Sequence, residues 1–204
     1  MNSSSIVLTL TLLLTACSGS KTASAQKAPA SETAPATYRV NFDTSRGPFV
    51  VEITREQAPN GADRFYNLVK AKYFDGGPFY RVVPGFMVQW GAAADPDVTK
   101  RWDVTIPDDA VKETNAKGTI SFAAKSSPNT RSTHMFINYA DNPRLDALGF
   151  APIGKVVSGM DIAEQIYSGD GERPDQTRMK EEGNKYIEKE FPKLDFIKTA
   201  RIVQ

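Results

Sequence analysis

The sequence predicts a mainly β fold, a closed antiparallel barrel, on three observations. Short stretches of strand character follow one another through most of the 204 residues. Gly, Pro, Asn or Asp bounds each of them, and only two or three stretches have helical periodicity. Either a barrel or a sandwich satisfies that pattern; closure removes exposed strand edges, which selects the barrel. With 40% hydrophobic and 24% charged residues, the chain buries one substantial core and is short for two domains.

The elements follow in order. Tyr38, Val40 and Phe42 alternate with polar residues, Thr44 to Pro48 breaks the run, and Phe49, Val51 and Ile53 alternate again, which is a hairpin signature. Pro59 to Asp63 starts a helix with Asn60 as its N-cap; Phe65, Leu68 and Val69 share one face, and Asp75 to Pro78 ends it. Strand character then recurs at Phe79 to Val83, Phe86 to Trp90, Thr119 to Ala123, Thr133 to Asn138, Ile153 to Val157 and Ile197 to Val203. A second helix is expected over Gly159 to Tyr167, with Met160, Ala163 and Tyr167 on one face. A third is expected over Pro174 to Glu190, with Glu181 placed to pair with Lys185 and a thin apolar face of Met179, Tyr186 and Ile187. It reads as a surface helix packed on the barrel. Trp90 and Trp102 read as packing residues.

Twenty-five Lys and Arg against 24 Asp and Glu give a formal net charge of +1, which supplies no field for capturing nucleic acid. One histidine and one cysteine exclude an intramolecular disulfide and any site within a monomer that needs several His or Cys ligands. Ile6 to Ala16 is an apolar run without charge, of signal-peptide length and shorter than the ~20 residues of a membrane span. It ends in Leu14-Thr15-Ala16-Cys17, which resembles a bacterial lipoprotein signal, where the cysteine is lipidated and becomes the new first residue. Residues 1–16 are then a signal peptide, although Met1 to Ser5 lack the usual Lys or Arg. The alternative is an ordinary secretory cleavage site with Cys17 incidental. From Ser18 to Thr37, 16 of 20 residues are Ala, Ser, Thr, Pro or Gly, so residues 17–37 read as a lipidated cysteine and flexible linker reaching roughly 25 Å. The domain is expected over 38–204, monomeric, held in the bacterial cell envelope through Cys17 and facing the periplasm or the outside.

Two stretches carry the most information: Phe79 to Gly91, and Gly118 to Ala123 followed by Pro128 to Asn138. Together with Leu145-Asp146 and Gly149 to Val156 they resemble the cyclophilin family of peptidyl-prolyl cis-trans isomerases, over Tyr38 to Gln204. The resemblance implies eight strands, two capping helices with an extra C-terminal one, and a shallow groove on the outer face of the barrel. It implies Arg81 as the catalytic arginine, with Phe86, Met87, Gln89 and Ala123 in the substrate groove and Phe136 and Leu145 lining a proline pocket. His134 stands where the family commonly has glutamine, and Phe150 where many members carry a ring. Strand alternation puts His134 on the face of Phe136, where it would hydrogen-bond peptide.

The chemistry fits such a chain. Rotation about an X-Pro amide faces ~18–20 kcal/mol, and no bond is made or broken. No cofactor, metal or nucleophile is required. A dry apolar wall for the ring and a cation donating to the prolyl nitrogen suffice, and the partners are proline-containing polypeptides. Three departures from the family pattern stand out: Arg144 in place of a pocket tryptophan, a loop at Ala124 to Ser127 one residue longer than usual, and an insertion over Gly169 to Phe191. The rival reading is a binding module or chaperone that holds proline segments with little turnover. A hydrolase or metalloenzyme fails on residue inventory.

Overall fold

Alternating apolar residues build the first hairpin in a computed structural model that describes Met1 and residues 31–203. Strands β1 (Thr37–Thr44) and β2 (Gly47–Thr54) pair antiparallel, with Val40 opposite Val51 and Phe42 opposite Phe49, and their apolar side chains are buried. The expectations for the leader, for Cys17 and for the linker up to residue 30 lie outside the described residues.

Ahead of β1, Glu32 N–H donates to Asn67 Oδ1 at 2.9 Å and Ala34 N–H to Asp63 Oδ1 at 2.8 Å, both acceptors lying on α1 (Pro59–Lys70). The folded body therefore takes in residues from Glu32, ahead of the expected Tyr38. This segment is held there by its backbone, by the Glu32 carboxylate paired with Lys70 and by Ala34 buried at the core. Phe65, Leu68 and Val69 of α1 are buried as the periodicity predicts. The predicted cap is corrected: the N-cap position is Ala58, and the free N–H groups of Asn60 and Gly61 each donate to Asp109 at 2.9 Å. A distant carboxylate supplies what a local side chain was expected to supply, and its charge also suits the positive end of the helix dipole.

The remaining strands are β3 (Arg81–Val83), β4 (Met87–Trp90), β5 (Thr119–Phe122), β6 (Met135–Asn138), β7 (Pro152–Ser158) and β8 (Ile197–Val203). All eight join one antiparallel sheet in the order β3-β4-β6-β5-β7-β2-β1-β8. The expected closure is corrected: the sheet is open, a half-barrel whose end strands β3 and β8 do not pair as a ladder. Across that seam runs the irregular segment before β3, with Gly76 N–H bonded to Ile197 O, Ile197 N–H to Gly77 O and Phe79 N–H to Asp195 O. Pro78, in an isolated bridge with Phe196, has no N–H to extend a ladder. The outer edge of β3 is met by Val82 N–H donating to Gly171 O at 3.1 Å.

The concave face of the sheet and α1 enclose the core, where Phe42 stacks on Phe49 at 4.9 Å and meets Trp90 edge-on at 5.8 Å. Trp90 and Trp102 are both buried in this core. Two short helices escaped the pattern reading, α2 (Pro96–Trp102) and α3 (Arg144–Ala147). The first was legible: Asp95 caps Asp97 N–H, and Pro96 follows at the first helical position, where its missing N–H costs nothing. The second helix of the sequence reading is shorter than expected, α4 (Met160–Glu164). The third is two helices, α5 (Gln176–Glu182) and α6 (Asn184–Glu190), broken at Gly183. That break separates Glu181 from Lys185, and Arg178 instead pairs with Glu182 and Glu190. Met179, Tyr186 and Ile187 pack on Tyr80 and Ala92 in a small core of their own.

Candidate active site

Pairing register sets the first row of the site. Arg81 of β3 lies opposite Gln89 of β4, and Gln89 opposite Phe136 of β6. Because side chains alternate across a strand, the neighbours Val82, Val88, Met135 and Ile137 enter the core while this row faces away from it. Met87, two residues before Gln89, joins the row's face and packs with Phe136 and Leu145. Val83, Phe86, Ala123 and Phe150 close around that cluster, with the Phe150 ring edge-on to Phe136 at 5.7 Å.

These residues floor and wall a cavity of about 630 Å³. It brings together Arg81, Phe86, Met87, Gln89, Ala123, His134, Phe136, Leu145 and Phe150, all nine positions singled out in the sequence. One end is apolar, made by Phe86, Met87, Phe136, Leu145 and Phe150. The other end is polar, and most of it was not anticipated: Asp103 and Thr105 after α2, Lys125, Thr130 and Ser132 of the long loop, and Gln176, Thr177 and Lys180 of α5. Lys180 pairs with Asp103, so the insertion is tied to α2 beside the cavity. Arg144, in place of the expected tryptophan, lays its guanidinium over the Phe86 ring at 4.9 Å.

A hydrogen-bonded chain crosses the floor. Arg81 Nη1 donates to Gln89 Oε1 at 3.1 Å, Gln89 Nε2 donates to the Tyr80 hydroxyl at 2.9 Å, and that hydroxyl lies 2.6 Å from His134 Nδ1. Burial raises the Tyr80 pKa and keeps the phenol protonated. Of the two acceptors in reach of its proton, His134 Nδ1 at 2.6 Å is nearer than Trp90 O at 3.5 Å, and donation to Nδ1 corresponds to the neutral Nε2–H tautomer. Burial, helped by the field of Lys180 and Lys125 and opposed by Asp103, pushes the His134 pKa down to about 4. The histidine is therefore a neutral hydrogen-bonding group near pH 7. Tyr80 was missed because its ring packs in the α5–α6 core while only its hydroxyl reaches the site.

Beneath the apolar end a buried polar net sets the position of the Leu145 segment. Asn115 Nδ2 donates to Asp146 Oδ1 and to Phe150 O, and Asn142 Nδ2 donates to Asn138 Oδ1 and to Phe86 O. Ser121, opposite Phe136 in the register, donates to Asn115 Oδ1 at 3.0 Å. Every donor placed there is met, so the wall is rigid rather than merely apolar. Among the described residues no three of His, Cys, Asp and Glu are grouped to hold a metal ion.

A family model described as cyclophilin type peptidyl-prolyl cis-trans isomerase/CLD matches residues 39–188. A peptidyl-prolyl cis-trans isomerase of Acinetobacter baylyi is 34% identical over 132 residues, 62% of this chain and 70% of the relative. One from Arabidopsis thaliana is 36% identical over 146 residues, covering 66% of this chain and 88% of the relative. Among solved structures, a cyclophilin type peptidyl-prolyl cis-trans isomerase of Cryptosporidium parvum superposes with a TM-score of 0.63 at 22% identity, covering 82% of this chain and 98% of that one. The same Cryptosporidium protein has been crystallised in the presence of the dipeptide Ala-Pro; that structure superposes with a TM-score of 0.62 at 22% identity, covering 81% of this chain and 99% of that one.

Proposed function

The chain belongs to the cyclophilin-type peptidyl-prolyl cis-trans isomerases, and from that premise we propose that Arg81 drives the rotation, with the proline ring seated on Phe136, Leu145, Phe86 and Met87. Supporting this is one observation above the others: the Arg81 guanidinium lines the cavity and touches both Met87 of its apolar end and Gln89 of its hydrogen-bonded floor.

As the X-Pro bond twists, the prolyl nitrogen loses conjugation and gains a lone pair, which a cationic N–H can meet only in the twisted state. Arg81 Nη1 points one N–H at Met87 sulfur at 3.6 Å, a weak acceptor that the substrate nitrogen can replace. The apolar pocket grips the ring and excludes water, and His134 Nε2–H offers a donor to the peptide backbone on the polar side. A charge-assisted hydrogen bond is worth about 1.5–3 kcal/mol. Removing it by Arg81→Ala should lower turnover of an Ala-Pro peptide roughly 10- to 100-fold, read as cis-trans exchange by NMR. A variant that retains parental exchange would refute the role; one that loses exchange but still suppresses aggregation of a proline-rich client would show the groove binding without it.

The setting we propose is the bacterial cell envelope, with the domain tethered through a lipidated Cys17. Its support is the tetrapeptide Leu14 to Cys17 and the polar linker composition that follows. Mass spectrometry of the mature N-terminus tests it: a Cys17 carrying acyl chains is expected, and an unmodified residue refutes it.

A further inference from the structure

We propose that Glu172, in the insertion before α5, is a positioning residue for Arg81; the inference rests on the reading of Arg81 as the catalytic cation. Arg81 Nε donates to Glu172 Oε1 at 2.5 Å, and Nη2 meets the same oxygen. Nη1, on the other side of the guanidinium, is held by Gln89 Oε1. The two acceptors grip a planar group from opposite edges, so its plane is set, and Nη1 is the nitrogen turned to the groove.

The insertion reaches three consecutive residues of the segment entering the site. Tyr80 forms the floor of the α5–α6 core, Arg81 takes Glu172, and Val82 N–H donates to Gly171 O. Gly171, at φ +54, makes the turn that presents Glu172. The adjacent cation, Arg173, is occupied by Asp170 and the Phe191 ring, and Arg81 is the only ion-pair partner of Glu172 among the described residues. Glu172 itself is 61% exposed. Its contribution to folding is accordingly small, and its effect is on the orientation of Arg81.

The test uses the full chain in detergent, comparing parent, Glu172→Ala, Glu172→Gln and Arg81→Ala for kcat and KM on an Ala-Pro peptide. The Nε–H signal of Arg81 is followed by NMR in each protein that retains it. Glu172→Ala should lower kcat about two- to fivefold, the scale of an exposed ion pair, with KM unchanged. Glu172→Gln keeps the acceptor oxygen and should restore most of kcat. The Arg81 Nε–H signal should move and broaden in the alanine variant and stay near its parental position in the glutamine variant. Thermal midpoints should match the parent in both. An unmoved signal with unchanged kcat overturns the proposal, and so does a rise in kcat, which would make Glu172 a restraint on the arginine. Should parent and Arg81→Ala turn over alike, the catalytic reading of Arg81 fails, and the Nε–H signal alone decides whether Glu172 fixes its orientation.

Discussion

His134 links the polar half of the groove to the protonation state of the fold. Its Nδ1 lies 2.6 Å from the Tyr80 hydroxyl, and accepting that proton is open only to the neutral ring. The folded-state pKa is near 4, against 6.5 for the ordinary group, so an unfolded chain takes up a proton that the native one refuses. Stability is then full above about pH 6.5 and is lost as pH falls from there towards 4, by at most about 3 kcal/mol. Thermal midpoints measured from pH 7 to pH 4 should show this loss, and His134→Gln should remove that part of the slope; an equal slope in the variant would refute the assignment. At this scale the sequence was most readable. Arg81, Gln89 and Phe136 lie on three strands, β3, β4 and β6, and the resemblance implied their place in one groove, while alternation alone put His134 on the face of Phe136. Tyr80 was not legible because its ring packs away from the site, and Asp103, Lys180 and Glu172 were not, because each arrives from chain whose path is set by contacts far away in sequence. Asn60 failed as a cap for the same reason: a local rule competed with Asp109 and lost.

Between α5 and α6 the backbone turns at Gly183, with φ +61 and ψ −144. A Cβ there would lie 2.5 Å from Ala94 O and 2.7 Å from Pro96 Cδ, so both the conformation and the space require glycine. Gly183→Ala should cost about 1–3 kcal/mol and lower the thermal midpoint by several degrees; an unchanged midpoint would refute the strain argument. Composition rich in helix formers suggested one continuous helix over this region, since helix propensity registers Gly183 only as a weak residue, not as a packing point. A larger cost belongs to Arg131. This side chain is buried and holds Asp108 and Asp109, and Asp109 in turn caps α1. Arg131→Ala leaves buried carboxylate unpaired, and a loss of about 3–5 kcal/mol in denaturant unfolding is expected; a loss below 1 kcal/mol would show the pair to be dispensable.

For the molecule as a whole the weakest line is the seam between β3 and β8. The β1–β2 hairpin sits between β7 and β8, with a ladder on either side, whereas the seam has a few bonds around Pro78. Amides of Gly76, Phe79 and Ile197 should exchange with deuterium well ahead of those of Val40 and Val51; equal protection would mean the seam opens only with global unfolding. The number of strands and their places along the chain could be read from the sequence, but their order in the sheet and its closure could not. Closure depends on which edges meet after the sheet has curled, and a proline at that place decides the matter by what it lacks. The cover on the outer edge of β3 has a further consequence. The peptide that brings Glu172 to Arg81 also occupies the Val82 N–H through Gly171. Detaching the insertion would therefore release the arginine and bare a sheet margin in one movement, so a more open groove would come with a stickier protein, inclined to recruit a strand from its neighbour.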